Sequence, residues 1–328
     1  MHLNDMTKKL TVVLASRDDN YGDDALDGIY NLNFTPLKNI DRTRMSIENN
    51  LNLLSKFLEH DYELIVVDWS PIKEKYLHNN IHLKELFNHP NLKSIIVEPS
   101  AIEKVGLNVK GFNEYFAKNV GIRNSLGKYI LVINSDGLLS KNLVKEINTV
   151  ISDDEKNFYF RQHSRIDIDN NQKKINEGLS FYDDSIGFNK FKKTIFTDKH
   201  RLDMSLNIEK KEIAVNPNFY NIIGTPAAGD FTLSYRNNFI EISTGYFEDL
   251  NNPIGENFRQ TARDGQLLVN FILHGIYPKK FKNSIKSFDH NKIERVGEIK
   301  FHAYRNNANW GFNDFDVREY EGRYFISA

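Results

Sequence analysis

Apolar and polar positions along the first half of the chain fall into blocks with two different periods. Leu10 to Ser16 ("LTVVLAS") is a short apolar run of buried-strand type. Ser46 to His60 follows with Ile47, Leu51, Leu54 and Leu58 at helical spacing. Tyr62 to Ser70 ("YELIVVDWS") predicts a second strand ending at Asp68, and Asn91 to Pro99 a third that Pro99 stops. Phe112 to Gly127 predicts a helix closed by Gly127, and Lys128 to Asp136 ("KYILVINSD") a fourth strand. This strand–helix alternation predicts an α/β fold with a largely parallel, Rossmann-like central sheet covered by helices.

In such sheets ligands bind beyond the carboxyl ends of the strands. The predicted ends carry Ser16-Arg17-Asp18, Asp68-Trp69-Ser70, Glu98 and Asn134-Ser135-Asp136. Polar groups therefore collect at one predicted rim. Asn134-Ser135-Asp136-Gly137 also suits an ordinary turn. From about residue 152 to 218 the chain is polar and rich in Asp, Asn and Lys, which predicts an insertion around the strand-like stretch Phe158 to Ile168. Asp264 to Gly275 predicts an amphipathic helix ended by Gly275, and the remainder is aromatic and turn-rich around Trp310 and Phe312. One domain over residues 1–280, with residues 281–328 as a C-terminal extension packed on it, is the expected organisation.

Composition narrows the function classes. In 328 residues, 43 basic groups balance 44 acidic ones for a net charge of −1, so no nucleic-acid footprint is expected. There is no cysteine, which excludes disulfides and thiolate zinc sites. No apolar run has the length of a membrane span or a signal peptide. A cytoplasmic protein is the expectation, with the Asn33-Phe34-Thr35 sequon a chance match. Glycine-rich phosphate loops of the G-x-x-x-x-G-K-[ST] and G-x-G-x-x-G types are missing, as is H-E-x-x-H. A nucleotide bound here would need a cation for its phosphates, and Asp136 offers a hard oxygen ligand for one.

The run Ala117 to Ser140 resembles the donor-site segment of glycosyltransferase family 2 and related GT-A enzymes. There, a helix bearing Lys/Arg-Asn-x-Gly and closed by a second glycine leads into an apolar strand ending in Asp-x-Asp. Lys118, Asn119, Gly121 and Gly127 match, and Asp136 matches the second acid; Asn134 stands where the first would be. Leu10 to Asp24 resembles the family's first strand and loop, and Glu63 to Pro71 its second strand. Ala227 to Asp249 resembles the Gly-Asp-Phe and Gly-Tyr-x-Glu region, and Ala262 to Gly275 the segment bearing the acidic base, where Arg263 precedes the acid in place of the usual glutamate.

The resemblance implies a GT-A fold and sugar transfer from a nucleoside-diphosphate sugar, UDP- or GDP-linked, to a hydroxyl on a glycan or other acceptor, with inversion. It implies donor contacts at Ala15, Ser16, Arg17, Asp68, Lys118, Asn119, Arg123, Asn134, Ser135 and Asp136. It places Gly229, Asp230, Phe231, Arg236, Gly245, Tyr246 and Glu248 around the sugar and acceptor, and Asp264 as catalytic base. Mn²⁺ or Mg²⁺ would sit at Asp136 with His290, or else His302, as a further ligand, and the missing first acid weakens that site. Asp68 also suits a turn or cap, Trp69 suits a core as well as a base stack, and Asp264 suits an N-cap. Two rivals stand beside transfer: a nucleotide-sugar-binding protein without chemistry, and a sugar nucleotidyltransferase. The latter is disfavoured by the acidic loop after the first strand.

Overall fold

The structure is a computed structural model. It describes residues 8–18, 39–71, 75–107, 109, 112–160, 163–166, 188–189, 205–207, 212–215, 231–246, 248, 267, 270–271, 274, 276, 278–283, 285–288, 299–302, 306 and 308–328.

Four predicted strands are present as β1 (Lys8–Ser16), β2 (Tyr62–Trp69), β3 (Leu92–Val97) and β4 (Gly127–Ile133). Between them lie α1 (Asn39–Phe57), α2 (Pro99–Lys104) and α3 (Glu114–Arg123), and β4 is followed by α4 (Lys141–Ser152). The central sheet is completed by β5 (Phe158–Phe160), β10 (Phe231–Tyr235), β11 (Pro278–Lys280), β14 (Asp316–Tyr320) and β15 (Arg323–Ser327). Two small sheets use the strands numbered between these: β12 (Ile285–Phe288) with β6 (His163–Ile166) and β7 (Phe188–Asn189), and β13 (Ile299–His302) with β9 (Glu212–Val215) and β8 (Ser205–Asn207).

Strand order in the nine-stranded sheet is β11-β5-β10-β4-β1-β2-β3-β15-β14, and only β10 and β14 run against the rest. Alternation along β1 explains the two-sided core. Val13 and Ala15 point into one cluster with α3, containing Val67, Val120 and Trp310. Leu10, Val12 and Leu14 point into the other, with Ile47, Leu51 and Leu54 of α1 and Leu143 and Ile147 of α4.

Several boundaries differ from expectation. α3 stops at Arg123 with Asn124 as its C-cap, and Gly127 is the first residue of β4. A Cβ at Gly127 would lie 2.4 Å from the Thr11 amide nitrogen, so glycine is required by the neighbouring strand rather than by a helix end. Gly121 is likewise a contact residue: a Cβ there would lie 2.4 Å from Val13 Cγ1, and its absence lets α3 sit directly on the sheet. Helix α4 went unpredicted although Ser140 caps it by accepting from Leu143 N at 3.2 Å. The segment from residue 152 supplies β5 to the central sheet, so it is not wholly an insertion. Residues 316–327 add two strands to that sheet, with β15 parallel to β3. Trp69 is fully buried, edge-on to Phe312 at 5.8 Å, and serves the core.

Candidate functional site

The chain runs from β1 outward to β2 and β3, then returns to place β4 on the other side of β1. Strand order reverses between β1 and β4, the kind of position at which α/β sheets bind ligands beyond the carboxyl ends of their strands. Ser16 and Asp68 are register partners at the ends of β1 and β2, and the turn Asn134–Gly137 leaves β4 beside them. Ala15, Ser16, Arg17, Asp68, Asn134, Ser135 and Asp136 thus share one rim.

Buried polar residues of α1 build that rim. Gly137 N donates to Asn134 O at 2.9 Å and closes the turn. Its carbonyl accepts from Ser46 Oγ at 2.7 Å and Asn50 Nδ2 at 2.8 Å, while Asn50 Oδ1 accepts from Leu139 N at 2.9 Å. Asn49 Nδ2 donates to Leu139 O at 3.1 Å. Further along α1, Thr43 Oγ1 lies 2.8 Å from Ser16 Oγ, and Asn39 Nδ2 donates to Arg17 O at 2.9 Å. One helix face therefore fixes the ends of β1 and β4 together. Sequence reading, counting apolar spacing, begins this helix at Ser46; it begins at Asn39 and its functional face is polar.

Charged groups are sunk into the rim. Arg17, Arg42, Lys118, Asp68 and Asp136 are all buried. Lys118 Nζ donates to Asn134 Oδ1 at 2.7 Å and pairs with Glu114 one turn earlier. Arg42 Nη1 lies 3.9 Å from Asp136 Oδ2. The Arg17 guanidinium lies over the Phe112 ring at 6.0 Å. Asp68 Oδ2 accepts from Leu77 N at 2.8 Å, and its Oδ1 has no hydrogen-bond partner among the described residues. Burial, aided by repulsion from Asp18 and Glu98, pushes the Asp68 carboxyl up to about 8 against the opposing pull of the Leu77 amide and Arg17. Near neutral pH it is mostly protonated, and able to donate as well as accept.

Several residues expected at the donor or acceptor have partners within the chain or lie away from the rim. Asn119 is committed to the chain: its Nδ2 donates to Tyr246 O at 2.6 Å and Glu248 Oε1 at 2.8 Å, and its Oδ1 accepts from Tyr246 N at 2.7 Å. Arg123 lies at the C-terminal end of α3, away from the rim, donating to Asn313 Oδ1 at 3.0 Å and Ala308 O at 3.3 Å with its guanidinium over Trp310 at 4.8 Å. Arg236 is at the opposite end of the strands from the rim. Pairing of Phe231 with Ile133 and of Tyr235 with Tyr129 runs β10 away from the rim, so Arg236 lies about 13 Å or more from it at ~3.3 Å per residue. Glu248 also accepts from Gly311 N at 3.0 Å. Gly245, with φ of +71°, leaves room for Asn119, whose Oδ1 would be 2.4 Å from a Cβ there. The Asn119–Tyr246–Glu248 set is a brace between α3 and the C-terminal segment. Gly229, Asp230, Asp264 and His290 lie outside the described residues, as does the His302 side chain.

Among the described residues the turn offers a divalent cation one carboxylate, Asp136, and the expected further ligand His290 lies outside them. Asn134 Oδ1 already accepts from the Lys118 ammonium, and Asp136 faces the Arg42 guanidinium. Among the described residues no three His, Cys, Asp or Glu groups cluster closely enough to hold a metal ion. No helix among them is long and apolar enough to cross a membrane.

No family model matches the sequence, and no curated protein matches it either. Among solved structures, the chain is similar to S. aureus TarS 1-349 in complex with UDP-GlcNAc, at 13% identity and a TM-score of 0.46, covering 89% of this chain and 60% of that one. It is also similar to the mannosyltransferase PcManGT from Pyrobaculum calidifontis in complex with GDP-Man and Mn²⁺, at 11% identity and a TM-score of 0.44, covering 85% and 56%. The chain thus spans at most 60% of the length of these two structures. At that level of likeness their names assign nothing to this chain, and the site has to speak for itself.

Proposed function

We propose that the chain is a GT-A-type glycosyltransferase that transfers a sugar from a nucleoside-diphosphate sugar, UDP- or GDP-linked, to an acceptor hydroxyl with inversion. The observation that carries this reading is the gathering of Ser16, Arg17, Asp68 and Asn134–Asp136 at the strand reversal, with Arg42 and Lys118 buried against them. Burying charge is costly, and a rim that keeps several buried charged groups is suited to a charged ligand. The protonated Asp68 suits hydrogen bonds to a base or ribose. The resemblance over Ala117 to Ser140 supplies the donor chemistry.

In this reading the acceptor oxygen attacks the anomeric carbon as the bond to the diphosphate oxygen breaks. Asp264 takes the hydroxyl proton, and cations of the chain meet the charge growing on the leaving diphosphate. No step is assigned to a divalent cation, because the donor oxygens at the turn already face Lys118 and Arg42.

Calorimetric titration with nucleoside diphosphates, paired with turnover of UDP- and GDP-linked sugars, tests the reading. The expected result is binding of one base class and turnover that falls by about a hundredfold or more in Asp264→Asn with nucleotide affinity retained. Failure to bind any nucleoside diphosphate, with or without Mn²⁺, overturns it. Binding without turnover toward any acceptor favours a non-catalytic nucleotide-sugar-binding protein.

A further inference from the structure

Arg42 stands in the first turns of α1 with only 7% of its surface exposed. Among the described residues its guanidinium makes no hydrogen bond. Its Nε has no partner, and its approach to Asp136 is 3.9 Å, an ion pair without a hydrogen bond. A buried guanidinium nitrogen with its donor unmet is costly, and the planar fork matches two oxygens of a phosphate. Asp136 opposite holds that charge at the turn where a GT-A donor would place its diphosphate. Arg17 and Lys118 stand on the same rim.

Resting on the nucleotide-sugar reading above, we propose that Arg42 receives the donor's diphosphate and does the charge-neutralising work a divalent cation would otherwise do, with Asp136 as the counter-ion that orients it. As the glycosidic C–O bond breaks, its electron pair stays on the leaving phosphate oxygen. The N–H groups of Arg42 strengthen their hydrogen bonds to that diphosphate. The anomeric carbon bonds the acceptor oxygen, whose proton passes to the base. Asp136 is then a positioning residue rather than a metal ligand.

The test titrates UDP and GDP into the full chain by calorimetry, once in EDTA and once in excess Mn²⁺, with uridine and guanosine as phosphate-free controls. Affinity for the bound diphosphate is expected to agree within about threefold between the two conditions, a difference under 1 kcal/mol. Arg42→Gln is expected to weaken it by about ten- to a hundred-fold while leaving nucleoside affinity unchanged. Arg42→Lys, keeping the charge without the fork, is expected to fall between. A collapse of affinity in EDTA restored by Mn²⁺, or unchanged diphosphate affinity in a folded Arg42→Gln, overturns the inference and leaves the glycosyltransferase reading standing. No diphosphate binding under either condition overturns that reading and the inference with it. Thermal melting monitors folding. Where Arg42→Gln does not fold, Arg42→Lys decides, with unchanged diphosphate affinity overturning the assignment.

Discussion

Asp68 shows how a single position couples burial to pH. Its carboxyl is fully buried and pushed up to about 8, whereas in an unfolded chain it would titrate near 4. The folded state therefore holds the proton more tightly, and this contribution to stability is complete at low pH and lost as pH rises from about 4 through about 8. Urea melts at pH 5 and pH 8.5 are expected to show the wild type losing a few kcal/mol across that interval, and Asp68→Asn losing distinctly less. Asp68 and Asp136 were legible as rim residues because each ends an apolar run, a pattern that a single sequence displays. Arg42 was not. It lies on a helix face whose partners, the β4 turn and the end of β1, are distant in sequence, and nothing in its local spacing distinguishes it from a solvated arginine.

At the scale of elements, α3 depends on contacts that a motif conceals. Lys118, Asn119 and Gly121 read together as a donor-binding signature, yet they do three separate things. Lys118 reaches the β4 turn, Asn119 braces Tyr246 and Glu248, and Gly121 lets the helix approach β1. Asn119→Ala is expected to remove the buried hydrogen bonds that Asn119 makes to Tyr246 and Glu248, lowering unfolding free energy by about 2–4 kcal/mol in denaturant melts. Its nucleotide affinity should change less than that of Arg42→Gln. The opposite pattern, a normal melt with lost nucleotide binding, would return Asn119 to the donor site. Helix α1 was legible from its apolar stripe, and α3 as a helical segment ahead of the glycine that opens β4. The start of α1 was not, since Asn39, Arg42 and Thr43 are buried polar residues that apolar periodicity counts as exposed.

For the whole molecule, the β-strand order settles what the rim can gather, and the C-terminal segment settles the sheet's outer side. β15 pairs with β3 and β14 pairs with the other flank of β15, whose Ile326 is buried. Deleting residues 316–328 is expected to bare the hydrogen-bonding edge of β3, and size-exclusion chromatography of the truncated chain should show aggregate in place of the parent peak. An undisturbed elution profile would mean that the two strands are dispensable. This arrangement was not legible in sequence, where the tail reads as aromatic turns. Its strands are short, and their partner lies most of the chain away.

That pairing has a temporal side. Leu92 to Val97 leave the ribosome long before Arg323 to Ser327 exist, so β3 waits with one flank unpaired while more than two hundred intervening residues are made. Closing so long a loop is slow. The vulnerable interval of this protein's life is therefore the one before translation delivers β15, when a chaperone or a neighbouring nascent chain can reach that flank first.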